Sequence, residues 1–308
     1  MNIMTLINAL PGAVAQGLIW GIMAIGVYLT FRILDFADLT VDGSMCTGGA
    51  VCIMMMQAGF GVWPSMLAAT GAGMLTGLAT GIFHTCMGIP AILSGILTQL
   101  SLYSVNLKIM GKANQAISVG KYDLLVSLRY IKGVPFYQNT IFVVAVFILV
   151  LIAVLYWFFG TELGCAIRAT GCNSSMSRAQ GINTSFNKVL GLMVSNGLVS
   201  LSSALLAQYQ GFADVNMGRG AIVIGLAAVI IGEAVFSKIF RNFALRLLGV
   251  ALGSILYYLV LQTVIWLGID TDLLKLLSAI FVAIFLATPY WKGKYFSKPM
   301  KRGGNSNA

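Results

Sequence analysis

Charge is scarce in this chain. Only 9% of its 308 residues are charged, with nine acidic residues and a single histidine, where a soluble domain carries about 25% charge. The longest weakly hydrophobic stretch, 108–138, is too short for an independent catalytic domain. A Gly-x-x-x-x-Gly-Lys-Ser/Thr phosphate loop is missing, so ATP is not bound by that route. Cys46, Cys52, Cys86, Cys165 and Cys172 have no metal-ligand spacing. Three of them lie in apolar segments, where cysteine acts as a small hydrophobe. Six residues separate Cys165 from Cys172, which fits no zinc pattern and suggests no disulfide framework. His84 falls at a helix end. Proton relays in membranes use chains of ionisable groups, so a lone terminal histidine reads as interfacial. Without a nucleophile, a metal set or an acid/base pair, catalysis and metal binding by this chain are not expected. The N-terminus lacks a basic leader and a small-residue cleavage site, so the first helix is expected to be retained.

Apolar residues fill the space left by charge. The chain is 58% hydrophobic, with a mean hydropathy of +0.90. Crossing the hydrocarbon core takes about 20 apolar residues per helix. The pattern predicts an all-α, polytopic integral membrane protein with about nine spans: 6–30, 41–57, 63–83, 89–107, 139–159, 187–208, 221–236, 244–267 and 274–291. Residues 1–291 then form one transmembrane domain, followed by a basic tail, 292–308. The second and seventh spans are short, and such segments are where transport folds break helices around a pathway.

The net charge of +10 includes five basic residues in the tail, Lys292, Lys294, Lys298, Lys301 and Arg302. Beside a membrane helix such a patch sets topology rather than binding nucleic acid. With the C-terminus placed in the cytoplasm, inner loops hold Arg32, then Arg168, Arg178 and Lys188, then Lys238, Arg241 and Arg246. The outer side holds Arg219, Lys275 and the basic residues of 108–132, the last a violation of the rule. Asp214, Asp270 and Asp272 lie in short outer loops, and an odd span count puts the N-terminus outside. Gly73, Gly77 and Gly81 repeat every four residues, as do the pairs Gly17/Gly21 and Gly249/Gly253. These faces allow close helix approach. Packing within the chain is the simpler reading, and a dimer interface the other.

Two polar segments interrupt this pattern. In the first, 34–44, Asp35, Asp38 and Asp42 fall within eight residues, between apolar stretches Pro11–Phe31 and Met45–Met56. Acids at a helix break line a buried or watery path. Thr40 and Ser44 add hydroxyls, and Asp42 is placed to cap the helix that follows it. The segment is either beside a translocation path or a structural turn.

The second, 161–182, is about 25 residues long with its flanks and mostly uncharged. Asn173 or Ser174 can cap a short helix through Ala179, with Gly181 as its stop. A stiff helix there suits docking to a partner protein. Its apolar content, Met176, Ala179 and Ile182, is thin for resting on a membrane. Further polar groups lie inside spans: Thr98, Gln99, Ser101, Asn106, Ser195, Asn196, Ser200, Ser202, Ser203, Gln208, Glu233 and Gln262. The 195–203 set forms roughly one helical face, lining a passage or packing helices. Glu233 is within reach of Lys238 or Arg241.

Asp38-Leu39-Thr40-Val41-Asp42-Gly43-Ser44 resembles the Asp-Leu-Ser-Val-Gly-Ser turn of ATP-binding-cassette importer permeases for ribose and other simple sugars. Thr161-Glu162-x-Gly-x-Ala-x-Arg-Ala-x-Gly-x-Asn, ending at Gly181-Ile182, is similar to the cytoplasmic loop of the wider group that includes branched-chain amino acid permeases. The form Ala-Asp-Leu-Thr-Val-Asp-Gly-Ser looks like the tryptophan/tyrosine transport permease subgroup. The resemblance covers about 15–290.

It implies a bacterial inner-membrane permease working as a pair of chains, a homodimer or a heterodimer. Two cytoplasmic ATPase subunits carry the ATP and magnesium, so this chain needs no cofactor. An extracytoplasmic binding protein delivers substrate. Asp38, Thr40, Asp42, Ser44 and Thr47, with Gln99 and Asn196, are then the expected path residues. Ala169, Gly171, Cys172, Asn173, Ser174, Ser175, Met176, Ala179 and Gly181 are the expected ATPase contacts. The acid at Asp42 departs from the sugar pattern and is compatible with an amino-bearing substrate. Trp20, Trp63, Tyr103 and Trp266 either face an aromatic ligand or sit at membrane interfaces. The rival readings are an ion-coupled secondary transporter using the acids at 35–42, a permease for a simple sugar or nucleoside, an exporter, and an integral-membrane enzyme.

Overall fold

In lipid every backbone N–H and C=O needs a partner within the protein, so long apolar segments fold as helices. The computed structural model describes residues 3–118, 122–131, 138–236, 240, 242–268, 273, 276, 279–280, 282–284 and 287. Most of the expected ninth span and the whole basic tail lie outside these residues, as do Lys121, Lys132, Lys238, Arg241, Asp270, Asp272 and Lys275.

The helices are α1 (Ile3–Tyr28), α2 (Val41–Gln57), α3 (Val62–Thr85), α4 (Ala91–Met110), α5 (Thr140–Gly160), α6 (Glu162–Cys172), α7 (Ser174–Ala179), α8 (Thr184–Gln210), α9 (Ala221–Phe236) and α10 (Phe243–Trp266). The protein is an all-α, multi-pass membrane protein. Five segments are long and apolar enough to cross: Ile7–Ile33, Val62–Thr85, Thr140–Gly160, Thr184–Gln210 and Phe243–Trp266. α4 has 20 residues. α2 and α9 have 17 and 16, or about 25 Å of helix each, short of a hydrocarbon core about 30 Å thick.

From Gly17 to Tyr28, α1 is buried on all sides, and the helix packs against α8, α9 and α10. Because lipid is as apolar as leucine, close packing and hydrogen bonds must hold such helices together. The 73/77/81 glycine stripe lies directly on α8. A Cβ on Gly73 would strike Ser200 and the Asn196 carbonyl, one on Gly77 the Leu192 carbonyl, and one on Gly81 Val189. Gly17 and Gly21 meet Ile255 and Ala251 of α10 in the same way. The stripes therefore serve packing within the chain.

A five-residue π-helical turn, Leu29–Ile33, ends α1. Leu34 N–H donates to the Leu29 carbonyl at 3.0 Å and Phe36 N–H to the Thr30 carbonyl at 2.9 Å. Asp35 follows with φ at +52°, a conformation aspartate tolerates better than most residues. The chain thus reverses and starts α2 inside the protein, where Val41 and Gly43 to Cys46 are buried. At the end of the bundle away from this reversal, two short strands pair antiparallel: β1 (Asn114–Ala116) with β2 (Phe212–Asp214), Gln115 opposite Ala213.

The 161–182 segment holds two helices where one was expected. Thr161 Oγ1 caps α6 by accepting from the Gly164 N–H at 3.4 Å. Asn173 Oδ1 caps α7 by accepting from the Met176 N–H at 3.0 Å, and Gly181 beyond it has φ at +81°. The α6 helix was hidden because its inward face is only Gly164, Ile167 and Thr170.

Candidate translocation site

The two short helices meet at their N-termini. Asp42, in the first turn of α2, aims its carboxylate at the start of α9. Oδ2 accepts the Gly220 N–H and Oδ1 the Ile222 N–H, each at 3.0 Å. Asp42 therefore caps α9, not α2 as its spacing suggested. Gly220, at φ +83°, turns the chain into α9. Gly218 packs against the Asp42 carbonyl so closely that a Cβ would collide with it. The favourable interaction of a carboxylate with a helix N-terminus then joins segments 180 residues apart.

Asp38 is buried and takes a separate role. Its Oδ1 accepts the Thr40 N–H at 2.9 Å, and its Oδ2 accepts from Asn196 Nδ2 at 2.7 Å. Ser44 Oγ donates to Asn196 Oδ1 at 2.6 Å and lies 2.7 Å from Thr76 Oγ1. Thr40, Thr80 and Thr98 form a second ladder across α2, α3 and α4, with oxygens 2.6 and 2.9 Å apart. Thr47 Oγ1 donates back to the Gly43 carbonyl at 3.0 Å. Asp38, Thr40, Ser44 and Asn196 thus belong to an interhelical network whose polar groups satisfy one another, while Thr47 bonds only within α2. The serines of α8 serve the same purpose: Ser195 donates to the Gly26 carbonyl, Ser200 to that of Ser44, Ser202 to that of Ile19 and Ser203 to that of Met45. Asp35 is exposed. Neither Asp38 nor Asp42 has another ionisable side chain as a hydrogen-bond partner among the described residues, which gives no support to a proton relay through 35–42.

Beside the α2–α9 junction lies a cavity of about 430 Å³, lined by Asp42, Gly43, Cys46, Gln99, Leu100, Tyr103, Asn106, Val215 and Arg219. Of the expected path residues, only Asp42 and Gln99 reach it. Gln99, Tyr103 and Asn106 share one face of α4, at spacings of four and three. That spacing is a usable signal of the site in the sequence. Asn106 is buried, and its Nδ2 donates to the Gly43 carbonyl at 3.5 Å. A carbonyl oxygen can only accept, so it faces the amide's NH2 rather than its oxygen. Asn106 Oδ1 is left buried with no hydrogen-bond partner, a state that costs about 1–3 kcal/mol. Arg219 is exposed at the rim, and its guanidinium makes no hydrogen bond or ion pair among the described residues.

A larger cavity, about 610 Å³, lies where α1 ends and includes Phe31, Arg32, Glu233, Phe236 and Arg246. Two of its charges are matched, because the Arg32 guanidinium forks onto Glu233, and Arg246 is a second base on its wall. Glu233 thus pairs with the π-helical turn at the end of α1, 201 residues away; Lys238 and Arg241, the bases in its own loop, lie outside the described residues. His84 caps this end of α3. It packs edge-on to Phe36 at 5.0 Å, its Nδ1 lies 2.8 Å from the Ile89 carbonyl and its Nε2 3.4 Å from Lys188 Nζ.

Of the expected ATPase-contact residues, Asn173, Ser175, Met176, Ala179 and Gly181 are exposed on and around α7. Ala169, Gly171 and Cys172 belong to α6. Gly171 is pressed against the Ile33 carbonyl, so α6 ties α7 to the π-helical turn.

The profile of the branched-chain amino acid transport system / permease component family matches residues 10–288. A tyrosine transport system permease protein of Clostridioides difficile is 38% identical over 281 residues, 91% of each chain. An uncharacterized protein of Rickettsia prowazekii is 34% identical over 91% of this chain and 98% of its own. A fructose import permease protein of Bifidobacterium longum is 26% identical over 86% of this chain and 73% of its own. No solved structure matches.

Proposed function

The chain belongs to the branched-chain amino acid transport system / permease component family, and we propose that it is the membrane-spanning subunit of a binding-protein-dependent importer for an amino acid, aromatic in character. The permease role itself rests on the family. The amino-acid reading rests on one observation: an acid, Asp42, and a base, Arg219, line the same cavity at the junction of the two short helices. Short or interrupted helices whose N-termini converge are a recurrent way to build a transport site. The tyrosine transport permease among its relatives points the same way.

Energy comes from separate ATPase subunits that dock on α7. Its exposed Met176 and Ser175 supply the contact, and α6 carries the movement to the π-helical turn beneath α2. The end bearing α6 and α7 is cytoplasmic on this reading, since Arg32, Arg168, Arg178 and Lys188 gather there. A second copy of the chain completes the pathway, facing the exposed side of α4, where Leu97, Leu100 and Tyr103 are uncovered.

The test is uptake into proteoliposomes holding the permease with its ATPase and its binding protein. Radiolabelled L-tyrosine or another amino acid should accumulate only with ATP inside. Accumulation of ribose or a nucleoside but no amino acid, or uptake driven by an ion gradient without ATP, would overturn the proposal.

A further inference from the structure

The junction cavity has three features that its packing does not use. Asn106 Oδ1 is a buried acceptor without a donor. Arg219 is a guanidinium with no carboxylate partner among the described residues. Tyr103, half-exposed, lines the cavity from the same face of α4 as Asn106. A buried acceptor of this kind calls for a donor from a ligand or ordered water. Asp42 does not supply that donor, because a carboxylate only accepts; both its oxygens hold α9 amides, so its position is rigid while its negative charge lines the same cavity as Asn106. The volume, about 430 Å³, falls in the range of about 300–1,000 Å³ seen for small-molecule sites.

We propose that this cavity binds a free α-amino acid as its zwitterion, with the ammonium on Asn106 Oδ1 beside the Asp42 charge, the carboxylate on Arg219, and the side chain against Tyr103 and Leu100. This rests on the amino-acid reading above and assigns that reading a place and a chemistry. An ammonium supplies the donor that Asn106 lacks. A guanidinium takes a carboxylate through two parallel N–H bonds. A sugar supplies hydroxyl donors to Asn106 but leaves both charges of the cavity unanswered. Gln99, on the same helix face, is neutral and can meet either a backbone group or a side-chain hydroxyl of the ligand.

The experiment uses the full-length permease in lipid nanodiscs and measures equilibrium binding of tritiated L-tyrosine and L-leucine in parallel. Competitors are each ligand's amine, which lacks the carboxylate, and its acid, which lacks the ammonium. Each competitor should be at least about tenfold weaker than the amino acid on the wild-type protein. Asn106→Leu should bind at least about tenfold more weakly and no longer prefer the amino acid over its acid analogue. Arg219→Gln alters an exposed side chain, so it tests the idea even if Asn106→Leu fails to fold; it should no longer prefer the amino acid over its amine. Absence of saturable wild-type binding of either ligand overturns the site, as does retention of the full preference by Arg219→Gln. Uptake by the reconstituted wild-type system separates the two readings. If it imports an amino acid while these variants behave as wild type, the site is wrong and the importer reading stands. If it imports none, both fall.

Discussion

The Asp42 carboxylate accepts the backbone N–H of Ile222 at 3.0 Å. One side chain of α2 thereby closes the N-terminus of α9, together with the Gly220 N–H on its other oxygen. Asp42→Ala leaves two amides without an acceptor and should destabilise the protein by about 2 kcal/mol. Asp42→Asn keeps one acceptor and should cost about half as much. Thermal unfolding of the purified permease, followed by tryptophan fluorescence, reads both. Equal melting temperatures for wild type and Asp42→Ala would show that the cap contributes nothing.

Asn196 joins the Asp38 carboxylate to Ser44, in a network sealed from solvent. Asn196→Leu removes a donor from a buried carboxylate, and a charged group left short of partners costs more than a neutral one, about 3 kcal/mol. Asp38→Asn in the same background removes the charge and should recover part of the loss. Failure of the second substitution to recover any stability would place the cost in packing rather than in the carboxylate.

Helix spans were legible because long apolar runs bounded by polar residues have few other outcomes in a membrane. The breaks at α2 and α9 were legible too, since 17 and 16 residues fall short of a crossing. The partners of the acids were not. Asp42 faces α9 and Glu233 faces α1, contacts between segments about 200 residues apart or nearly so. For Asp42, local spacing favours the nearest helix end, and chain topology decides otherwise. The same limit hid the junction cavity, whose Arg219 and Asp42 come from different thirds of the chain.

The α3–α8 contact depends on the absence of side chains at one stripe. Gly77→Val places methyl groups where the Leu192 carbonyl lies, and overpacking of this kind costs about 1–3 kcal/mol or more. Gly71→Val is the matched control, because a Cβ there meets nothing within 4 Å. Size-exclusion profiles of the two variants should differ, with loss of the monodisperse peak for Gly77→Val alone. Equal behaviour would mean that the two helices can move apart freely.

Arg32 and Glu233 form a fork between α1 and α9, but their side chains are 51% and 31% exposed. Exposure decides the magnitude: such pairs contribute about 1 kcal/mol or less and weaken with salt. Arg32→Gln should lower stability by no more than that in low salt, with the difference from wild type shrinking at high salt. A loss that is large and salt-independent would mark the pair as part of a desolvated contact at this end of the bundle.

α7 offers the sharpest test of how energy reaches this chain. It is six residues long, capped by Asn173 and exposed at Ser175 and Met176. Ser175→Arg adds bulk and charge to the outer face without touching the buried Ser177. If α7 docks an ATPase, the variant should keep the wild-type melting temperature while losing co-purification with the ATPase and stimulation of ATP hydrolysis. Asn173→Ala should have a milder effect, since it removes a cap that contributes about 1 kcal/mol and leaves the docking face unchanged. The order matters: a docking surface is hurt most by the surface substitution, and a merely structural turn by loss of its cap. Stimulation that survives Ser175→Arg but not Asn173→Ala would move the docking surface away from α7.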